Sequence, residues 1–274
     1  MVTQMTDSNL LIEIENGVAT LILNRPDVHN AFDDVLIVKI IEALDSIEAD
    51  DNVRVVVVTS TGKHFSAGAD LNWMKRMAVL TEQENRDDAV VLAGLMHKLN
   101  SLNKPTIALV NGAAYGGAVG LVACCDMAIA TQRSRFCLSE VKIGLSPAVI
   151  SPFVVSAMGE RAARRYFLTA EAFDATKAEK LGLLHDVVED EAALKEHGNQ
   201  LINTLLQNSP QAMGKTKKLI KHVSRGDINN DMRDYTVNLI ASIRVSDEGQ
   251  EGLGSFLEKR KPNWINTSGT QGNK

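Results

Sequence analysis

The sequence predicts an α/β fold with parallel strands, and three features of the chain support this class. Helical segments with one apolar face alternate with short segments that contain continuous apolar runs, such as "VRVVVVTS", "PTIALV" and "DMAIA". Two glycine-rich turns, around Gly68 and Gly116, each follow an apolar segment and precede a helix. Wholly apolar strands are typical of parallel sheets whose faces are covered by helices. From Glu160 onward the pattern becomes helix after helix.

The first elements can be assigned in order from their periodicity. In "LLIEIENGVATLILNRP" apolar and polar residues alternate on both sides of Asn16-Gly17, which predicts a hairpin. A helix from Phe32 to Ala49 follows, because its large aliphatic residues recur every three or four positions. After the next strand, the pattern predicts one helix running from Met74 to Asn100, then a strand, a second glycine turn, a short helix and another strand.

Length and composition indicate one globular unit with a helical extension. The chain has 274 residues, 45% of them hydrophobic and 23% charged, which is usual for a folded domain. We expect a core with the functional site over residues 1–200 and a C-terminal helical region over residues 201–274. The final segment "NTSGTQGNK" is polar and is expected to be loose.

Charge and cysteine content argue against several classes of protein. The formal net charge of −5 gives no basic surface for nucleic acid or an anionic membrane. The three cysteines are odd in number, form no CxxC and have no spacing of metal-ligand type, so we expect a reducing compartment and no metal. The start "MVTQMTDSN" lacks the features of a secretory signal or a transit segment, which predicts a cytoplasmic protein.

The two glycine-rich turns, "KHFSAGADL" and "VNGAAYGGAVGL", have two interpretations. Such turns expose backbone N–H groups, and the start of a helix adds partial positive charge, so together they suit a developing oxyanion. Alternatively, their small residues only permit tight turns and close helix packing. Neither turn has the spacing of a dinucleotide fingerprint or a phosphate-binding loop.

Several separate motifs resemble those of the crotonase, or enoyl-CoA hydratase/isomerase, superfamily. "NRPDVHNAF", "GKHFSAGADL", "VNGAAYGGAVGL", "CDMAIA", "FCLSEVKIGL" and "DEGQEGLGSFLEKRKPNW" occur in the order and spacing of that family. The resemblance runs from about Leu10 to Trp264. "AGADLNWMKRM", "GAAYGGAVGL" and "LSEVKIGLSPAVISPFVV" carry a narrower likeness to bacterial 3-methylglutaconyl-CoA hydratases of leucine breakdown and to hydratases of acyclic terpene degradation.

The resemblance implies a fold, a substrate class and an assembly. The fold is a spiral of repeated ββα units with a C-terminal helical region for trimerisation, and family members are usually homotrimers or homohexamers. The substrate is an acyl-CoA thioester, whose oxygen accepts hydrogen bonds from the amides of Ala69 and Gly117. No separate cofactor is expected, because coenzyme A is part of the substrate.

The resemblance also places the coenzyme A contacts. The positions that match the family's adenine and pantetheine pockets are Arg25, His29, Ala31, Ala67, Asp70 and Leu71. In the C-terminal motif, Phe256 and Lys259 resemble residues that reach the nucleotide end of coenzyme A, commonly across a subunit boundary.

One of the two acids that many hydratases of this family use is missing. The two positions correspond to Gly120 and Glu140, so only the second carboxylate is present. One carboxylate suffices if it takes a proton from water and then passes a proton to the α-carbon. We hypothesise that a distal carboxylate of the substrate fills the space beside Gly120. The alternative is that Gly120 is small because helices pack closely there.

Other candidates have competing structural explanations. His64 is expected to be a turn residue rather than a base. Asp70 either contacts the ligand or caps the following helix. A cation for a distal carboxylate has three candidates, Lys75, Arg76 and Lys142.

The preferred function is therefore a hydratase that adds water across the 2,3 double bond of a branched, carboxylated enoyl-CoA. The first alternative is a Δ3,Δ2-enoyl-CoA isomerase, since a single glutamate can move a proton between two carbons of an enolate. The second is a non-catalytic RNA-binding relative, which the net charge of −5 disfavours.

Overall fold

The structure, a computed structural model, describes residues 3–7 and 9–265. Within these residues it has ten strands: β1 (Thr3–Asp7), β2 (Leu10–Glu15), β3 (Val18–Leu23), β4 (Val55–Ser60), β5 (Thr106–Val110), β6 (Ala113–Tyr115), β7 (Met127–Thr131), β8 (Arg135–Cys137), β9 (Phe173–Asp174) and β10 (Asp186–Val188). The polar tail that was expected to be loose, residues 266–274, lies outside the described residues.

The same residues form eleven α-helices and two short 3₁₀ helices. The α-helices are α1 (Asp34–Ala49), α2 (Leu71–Met77), α3 (Glu82–Ser101), α4 (Gly117–Cys124), α5 (Ser151–Met158), α6 (Glu160–Thr169), α7 (Ala175–Lys180), α8 (Glu191–Leu206), α9 (Pro210–Val223), α10 (Asn230–Arg244) and α11 (Asp247–Leu257). The 3₁₀ helices are Pro26–Val28 and Glu140–Ile143.

The strands form two sheets, which confirms the α/β prediction. The larger sheet has seven described strands in the order β1-β2-β3-β4-β5-β7-β10. Its first three strands are antiparallel, and from β3 to β10 every pair is parallel. The smaller sheet has the order β6-β8-β9, and its strand β6 leads into the second glycine turn at Gly116. The strands with continuous apolar runs that were predicted to be parallel are β4, β5 and β7.

The predicted hairpin is present between β2 and β3. Asn16 and Gly17 both have positive φ, 52° and 83°, as a tight two-residue hairpin turn requires. The strand β1, which pairs antiparallel with β2, was not predicted, because "TQMTD" shows no apolar alternation.

The single helix predicted from Met74 to Asn100 is wrong, since the structure divides it into α2 and α3. Thr81 ends the intervening turn and caps α3. Its hydroxyl accepts from the Glu84 amide, and the Glu84 carboxylate accepts from the Thr81 amide. This reciprocal capping box satisfies amides that a continuous helix would satisfy internally, so a new helix begins there.

The apolar core lies between the larger sheet and the helices that precede the C-terminal region. The largest fully buried side chains include Phe65, Phe136, Leu21 and Met96. α1 and α3 pack against each other, and α4 packs against α3 and α5. Alternate residues of β4 and β5 face a second, smaller apolar cluster formed with α8 on the other face of the sheet.

The C-terminal helices predicted after Glu160 are present, together with the short strands β9 and β10 that were not predicted. The expected boundary between residues 200 and 201 lies inside α8, which packs on β4, β5, β7 and β10. The division into two regions stays a prediction. Among the described residues, no helix is long and apolar enough to cross a membrane.

Candidate active site

The two glycine turns lie side by side because Ser66 joins them. The Ser66 amide donates to the Ala113 carbonyl at 3.0 Å, and the Ser66 carbonyl accepts from the Tyr115 amide at 3.0 Å. Gly68, with φ +91°, lies so close to the second turn that a Cβ there would be 2.8 Å from the Tyr115 carbonyl oxygen. Glycine is therefore required at the contact between the two turns.

The amides of Ala69 and Gly117 are both available to a ligand. On the first turn, the Gly68 carbonyl and the Asp70 amide bond to Phe32, at 2.9 and 3.0 Å, so the Ala69 amide between them points to the other side, where the second turn lies. Gly117 is the first residue of α4, and its amide needs no partner within the helix. Neither amide has an acceptor among residues 3–7 and 9–265. Two such donors suit an oxyanion.

The Glu140 carboxylate lies against the second glycine turn. A Cβ built on Gly116 would be 3.4 Å from Glu140 Oε1 and 3.9 Å from Glu140 Cδ. The turn and the acid are connected through β8, because the Gly116 amide donates to the Cys137 carbonyl at 2.8 Å. Glu140 then begins the short 3₁₀ helix that follows β8. The acid therefore lies beside the residue that precedes the Gly117 amide.

Burial makes Glu140 a proton acceptor of increased strength. Glu140 is half-buried, and its Oε2 atom is buried without a hydrogen-bond partner among the described residues. Burial raises the pKa of its carboxyl, because the charged form loses hydration. A carboxyl with a raised pKa and an unused oxygen is suited to exchange protons with a substrate.

Phe32 is a site residue that the sequence argument did not identify. Its ring lies against the start of α4, where a Cβ on Gly117 would be 2.6 Å from Phe32 Cζ. Phe32 is only 2% exposed, and its backbone also holds the first turn through Gly68 and Asp70. Its place at the end of "NRPDVHNAF" was the available signal. Phe32 therefore positions both turns.

The hypothesis that a substrate carboxylate fills a space beside Gly120 is wrong. A Cβ on Gly120 would be 2.2 Å from Ile150 Cγ2, 2.7 Å from Ile150 Cβ and 3.4 Å from Met96 Cε. The space is therefore filled by the protein, which corrects the assignment of Gly120 as a substrate-binding residue. The alternative interpretation, a small residue for close packing between α4 and α5, is the one that these distances support.

Asp70 caps a helix and pairs with Arg25. Its Oδ1 accepts from the amides of Asn72 and Trp73, at 2.8 and 3.4 Å, and its Oδ2 accepts from the Arg25 guanidinium at 3.0 Å. Burial opposes ionisation, but these amides and the Arg25 charge together lower the pKa of Asp70. The capping interpretation of Asp70 is confirmed, and its contact with coenzyme A stays a prediction.

Arg25 is equally engaged with the protein. Besides Asp70, its guanidinium contacts the carbonyl of Ala31 at 2.7 Å and the carboxylate of Asp33 at 3.1 Å. Its side chain is 16% exposed. This ion-pair cluster fixes the segment between β3 and α1 against the first glycine turn.

The remaining predicted coenzyme A positions are gathered around that turn. The Ala67 amide donates to the His29 carbonyl at 2.9 Å, and both residues are exposed. Leu71, the first residue of α2, is 73% exposed, which is unusual for leucine. The structure thus places His29, Ala67 and Leu71 on the surface beside the first turn, where their contact with a ligand stays a prediction.

Phe256 and Lys259 belong to a different part of the chain. Phe256 lies in α11 and is 81% exposed, and the Lys259 amide donates to the Phe256 carbonyl at 3.3 Å. α11 packs on α9 and α10. Within residues 9–265, no hydrogen bond or ion pair connects either residue to the glycine turns. Their predicted role at a neighbouring subunit's site stays a prediction.

His64 has the structural role that was expected. Its Nδ1 accepts from the Ala113 amide at 3.2 Å, and its ring lies edge-on to His29 with centroids 5.1 Å apart. Burial, and then the positive charges of His29, Arg133 and Lys63, lower the pKa of His64. Over the described ranges, no group of three or more His, Cys, Asp or Glu side chains is placed to hold a metal ion.

Comparisons with known proteins show the family of this chain. Residues 13–267 match the enoyl-CoA hydratase/isomerase family. The crystal structure of an enoyl-CoA hydratase from Shewanella pealeana is 50% identical and superposes with a TM-score of 0.91, covering 93% of this chain and 96% of that one.

Two relatives are named for different activities, one as a hydratase and one as an isomerase. The 2,3-dehydroadipyl-CoA hydratase of Escherichia coli is 29% identical over 259 residues, covering 94% of this chain and 98% of the relative. The trans-2-decenoyl-[acyl-carrier-protein] isomerase of Streptococcus mutans is 30% identical over 263 residues, with 94% and 98% covered. The chain therefore belongs to the enoyl-CoA hydratase/isomerase family, the crotonase superfamily that its motifs predicted.

Proposed function

We propose that this protein is an enoyl-CoA hydratase with a single catalytic carboxylate. The observation that carries the proposal is the position of Glu140: its buried Oε2 has no hydrogen-bond partner among the described residues, and its carboxylate lies beside the turn that leads to the Gly117 amide. The amides of Ala69 and Gly117 hold the thioester oxygen, and the partial positive charge at the start of α4 supports them.

The reaction balances with one acid. Glu140, ionised, takes a proton from water as the water oxygen bonds to C3 of the enoyl group. The electron pair of the 2,3 double bond moves towards the thioester and forms an enolate, whose oxygen the two amides stabilise. Carbon C2 then takes the proton that Glu140 holds, which restores the carboxylate and leaves a 3-hydroxyacyl-CoA. The raised pKa of Glu140 suits both halves of this cycle.

For the substrate, we propose a branched, carboxylated enoyl-CoA of the 3-methylglutaconyl type, as in leucine or acyclic terpene catabolism. The Escherichia coli relative is named for a thioester of a dicarboxylic acid, which supports a second carboxylate. Since Ile150 fills the space beside Gly120, that carboxylate must bind elsewhere.

Lys142 is the cation to test first for this carboxylate. It belongs to the same 3₁₀ helix as Glu140. Arg76 is already paired with Asp34, whereas neither Lys142 nor Lys75 has an ion pair among the described residues, and of these two only Lys142 shares an element with Glu140. We expect Lys142→Gln to raise KM for a carboxylated enoyl-CoA and to leave KM for crotonyl-CoA unchanged.

An isomerase is the second candidate, and one observation favours it. Position 120 carries no acid, and one carboxylate suffices to move a proton between C2 and C4 of an enolate. The Streptococcus mutans relative is named as an isomerase. The third candidate, an RNA-binding protein, is opposed by the net charge of −5 and is tested by filter binding at physiological salt.

Absorbance of the conjugated thioester separates the two enzymatic candidates. Hydration removes the absorbance band of a 2-enoyl-CoA, whereas isomerisation of a 3-enoyl-CoA creates it. We expect the band of 3-methylglutaconyl-CoA to disappear in the presence of the protein. Appearance of the band from 3-enoyl-CoA substrates, without loss from any 2-enoyl-CoA, would identify an isomerase instead.

We further propose a homotrimer or homohexamer located in the cytoplasm. Exposed apolar side chains on the C-terminal helices support an assembly: Val237, Leu253, Phe256 and Leu257 are each at least 50% exposed. Sedimentation equilibrium tests the assembly, and a monomer at micromolar concentration would contradict it.

A further inference from the structure

A cavity of about 310 Å³ lies between the end of α3, α5 and α9, and is called the α9 cavity below. Its lining includes Asn103, which precedes β5, and Asp126, which immediately precedes β7. The glycine turns instead follow the carboxyl ends of β4 and β5 in this parallel part of the sheet. The α9 cavity is therefore at the opposite edge of the sheet from the candidate active site.

Three exposed cations line the α9 cavity. Lys218 and Lys221 lie on α9, and Arg225 follows just after the end of this helix. None of the three side chains has an ion pair or a hydrogen bond within residues 3–7 and 9–265. Like charges three and four positions apart on a helix repel each other and destabilise it. A bound anion would relieve this repulsion.

The acid in the lining of the α9 cavity does not neutralise these three cations. Asp126 Oδ2 is 2.6 Å from Lys217 Nζ and accepts from the amide and the hydroxyl of Thr106, at 2.7 and 2.9 Å. In the neighbouring cavity that Lys218 also lines, the Glu48 carboxylate accepts from the backbone and side-chain N–H groups of Asn103. Both carboxylates are thus held by other partners.

The shape and the neutral lining of the α9 cavity favour a small ligand. The side chains of Asn100 and Ser156 line it, and neither donates a hydrogen bond to another described residue, so both are available as donors. Its volume is at the lower end of the range of small-molecule pockets, about 300–1,000 Å³. Nucleic acid or an anionic membrane would need a wider basic surface, which the formal net charge of −5 opposes.

The charge of the lining favours a diphosphate over a single phosphate. Lysine and arginine bind phosphate oxygens through charge-assisted hydrogen bonds. One phosphate group carries a charge of about −1.5 to −2 at pH 7, which is less than the combined charge of three cations. Two linked phosphate groups match it better.

We propose that the α9 cavity is a binding site for a small molecule that carries a diphosphate group. Lys218, Lys221 and Arg225 bind the anion, and Asn100 and Ser156 donate hydrogen bonds to it. This binding does not depend on the enoyl-CoA chemistry proposed above, because the site lies at the opposite edge of the sheet from the glycine turns.

The test is calorimetric titration with inorganic pyrophosphate. We expect the wild-type protein to bind it and the triple variant Lys218→Gln, Lys221→Gln, Arg225→Gln to show no measurable binding. Each single variant should weaken binding by up to about fivefold, the effect of one exposed ion pair. No binding by the wild-type protein, or equal affinity of the wild-type protein and the triple variant, would overturn the proposal.

Lys195→Gln is the matched control for the loss of one positive charge. Lys195 lies on α8, is exposed, has no ion pair among the described residues and does not line the α9 cavity. We expect this variant to bind pyrophosphate as the wild-type protein does. If Lys195→Gln and Lys221→Gln weaken binding equally, the effect comes from net charge and not from this site.

Thermal unfolding gives a second measurement on the same variants. A ligand that binds only the folded state raises Tm, so pyrophosphate should raise Tm of the wild-type protein and leave that of the triple variant unchanged. The ligand-free Tm also shows whether the triple variant is folded. An equal rise in both proteins would place the bound pyrophosphate elsewhere and overturn the proposal.

Three further measurements separate this site from other ligands. We expect equal KM values for crotonyl-CoA in the wild-type protein and the triple variant. A KM that rises as much as the Kd for pyrophosphate would assign the cations to the nucleotide of coenzyme A and overturn a separate site. Binding of phosphatidylserine vesicles or single-stranded RNA without binding of pyrophosphate would overturn the choice of a small ligand. Calorimetry needs no turnover, so it tests the α9 cavity even if the proposed enoyl-CoA activity is not found.

Discussion

The two glycine turns are built by different means although they lie side by side. In the first turn, both oxygens of the Asp70 carboxylate are used, by the start of α2 and by Arg25. In the second, the neighbouring Glu140 has a buried oxygen without a partner among the described residues. Two carboxylates of similar intrinsic acidity thus have pKa values shifted in opposite directions. The difference indicates which acid holds the structure and which is available for chemistry.

The second turn is held by close packing at its glycines as well as by hydrogen bonds. Its four glycines lie against different neighbours: Gly112 against Lys63, Gly116 against Glu140, Gly117 against Phe32 and Gly120 against Ile150. A side chain at Gly117 or Gly120 would displace Phe32 or Ile150. The first turn, in contrast, has glycine only at Gly68, and the side chains of Ser66 and Asp70 accept hydrogen bonds from its amides and from the start of α2.

The largest expected effect is on turnover, from Glu140→Gln. Glutamine keeps the size of the side chain but neither takes nor gives the proton, so kcat should fall by roughly 10²–10⁴-fold. The measurement is steady-state hydration of the enoyl-CoA that the wild-type protein turns over best. Because glutamine is uncharged and Oε2 has no hydrogen-bond partner among the described residues, the urea midpoint of unfolding should not fall. A fall in kcat of less than about tenfold would remove Glu140 from the mechanism, being below that range.

The next effect is on stability, from replacing Asp70. Asp70→Ala removes the cap of α2 and the charged partner of Arg25, so the free energy of unfolding should fall by about 1–3 kcal/mol. Asp70→Asn keeps an acceptor for the cap and loses only the charge, so its loss should be smaller. Urea denaturation measures both, and equal losses would show that the cap contributes nothing.

The pH dependence of the reaction sharpens the same contrast. Since Glu140 must be ionised to take a proton from water, kcat/KM should fall as pH decreases through its raised pKa, with a midpoint above the ordinary value of about 4.3. This acid limb of the kcat/KM profile should persist in Asp70→Asn and should be absent from the residual activity of Glu140→Gln. A limb that survives in Glu140→Gln would assign it to another group.

The raised pKa of Glu140 also makes the free energy of unfolding depend on pH. Between its unfolded and folded pKa values the native state binds more protons, so this carboxyl lowers the free energy of unfolding as pH rises through that interval. Glu140→Gln should remove this decrease, which urea titrations on either side of the interval would detect.

The smallest expected effect is that of His64 on stability at acid pH. The pKa of His64 is lowered in the folded state, so its contribution to stability is complete above about pH 6.5 and is lost as pH falls through the lower folded value. His64→Asn should reduce the acid sensitivity of the urea midpoint. An identical pH dependence in the variant would mean that other groups cause it.

Much of the fold follows from local sequence signals. Asn16-Gly17 between alternating segments predicts the first hairpin, and continuous apolar runs predict β4, β5 and β7. The break between α2 and α3 was missed although Thr81 and Glu84 have the spacing of a capping box, because apolar periodicity was given more weight. The short strands β1, β9 and β10 were not predicted because their sequences show no apolar alternation. Only their pairing with neighbouring strands defines them.

The site was predictable to the level of residue types but not of packing. Glycines before helices indicate exposed amides, and the resemblance to the family assigns the two donors to Ala69 and Gly117 and the acid to Glu140. The ion pair of Asp70 with Arg25 joins residues 45 positions apart, and the contact of Ile150 with Gly120 depends on how α5 lies on α4. Neither contact leaves a periodic signal in the sequence, and so the space beside Gly120 was wrongly expected to be open.

The most direct test of the site is a crystal structure with a bound saturated acyl-CoA, which does not react. We expect the thioester oxygen to lie within about 3.2 Å of the amide nitrogens of both Ala69 and Gly117, as hydrogen bonds require. We also expect a Glu140 carboxylate oxygen to face carbons C2 and C3. A thioester bound away from these amides, or a Glu140 carboxylate turned from the acyl carbons, would contradict this arrangement of the site.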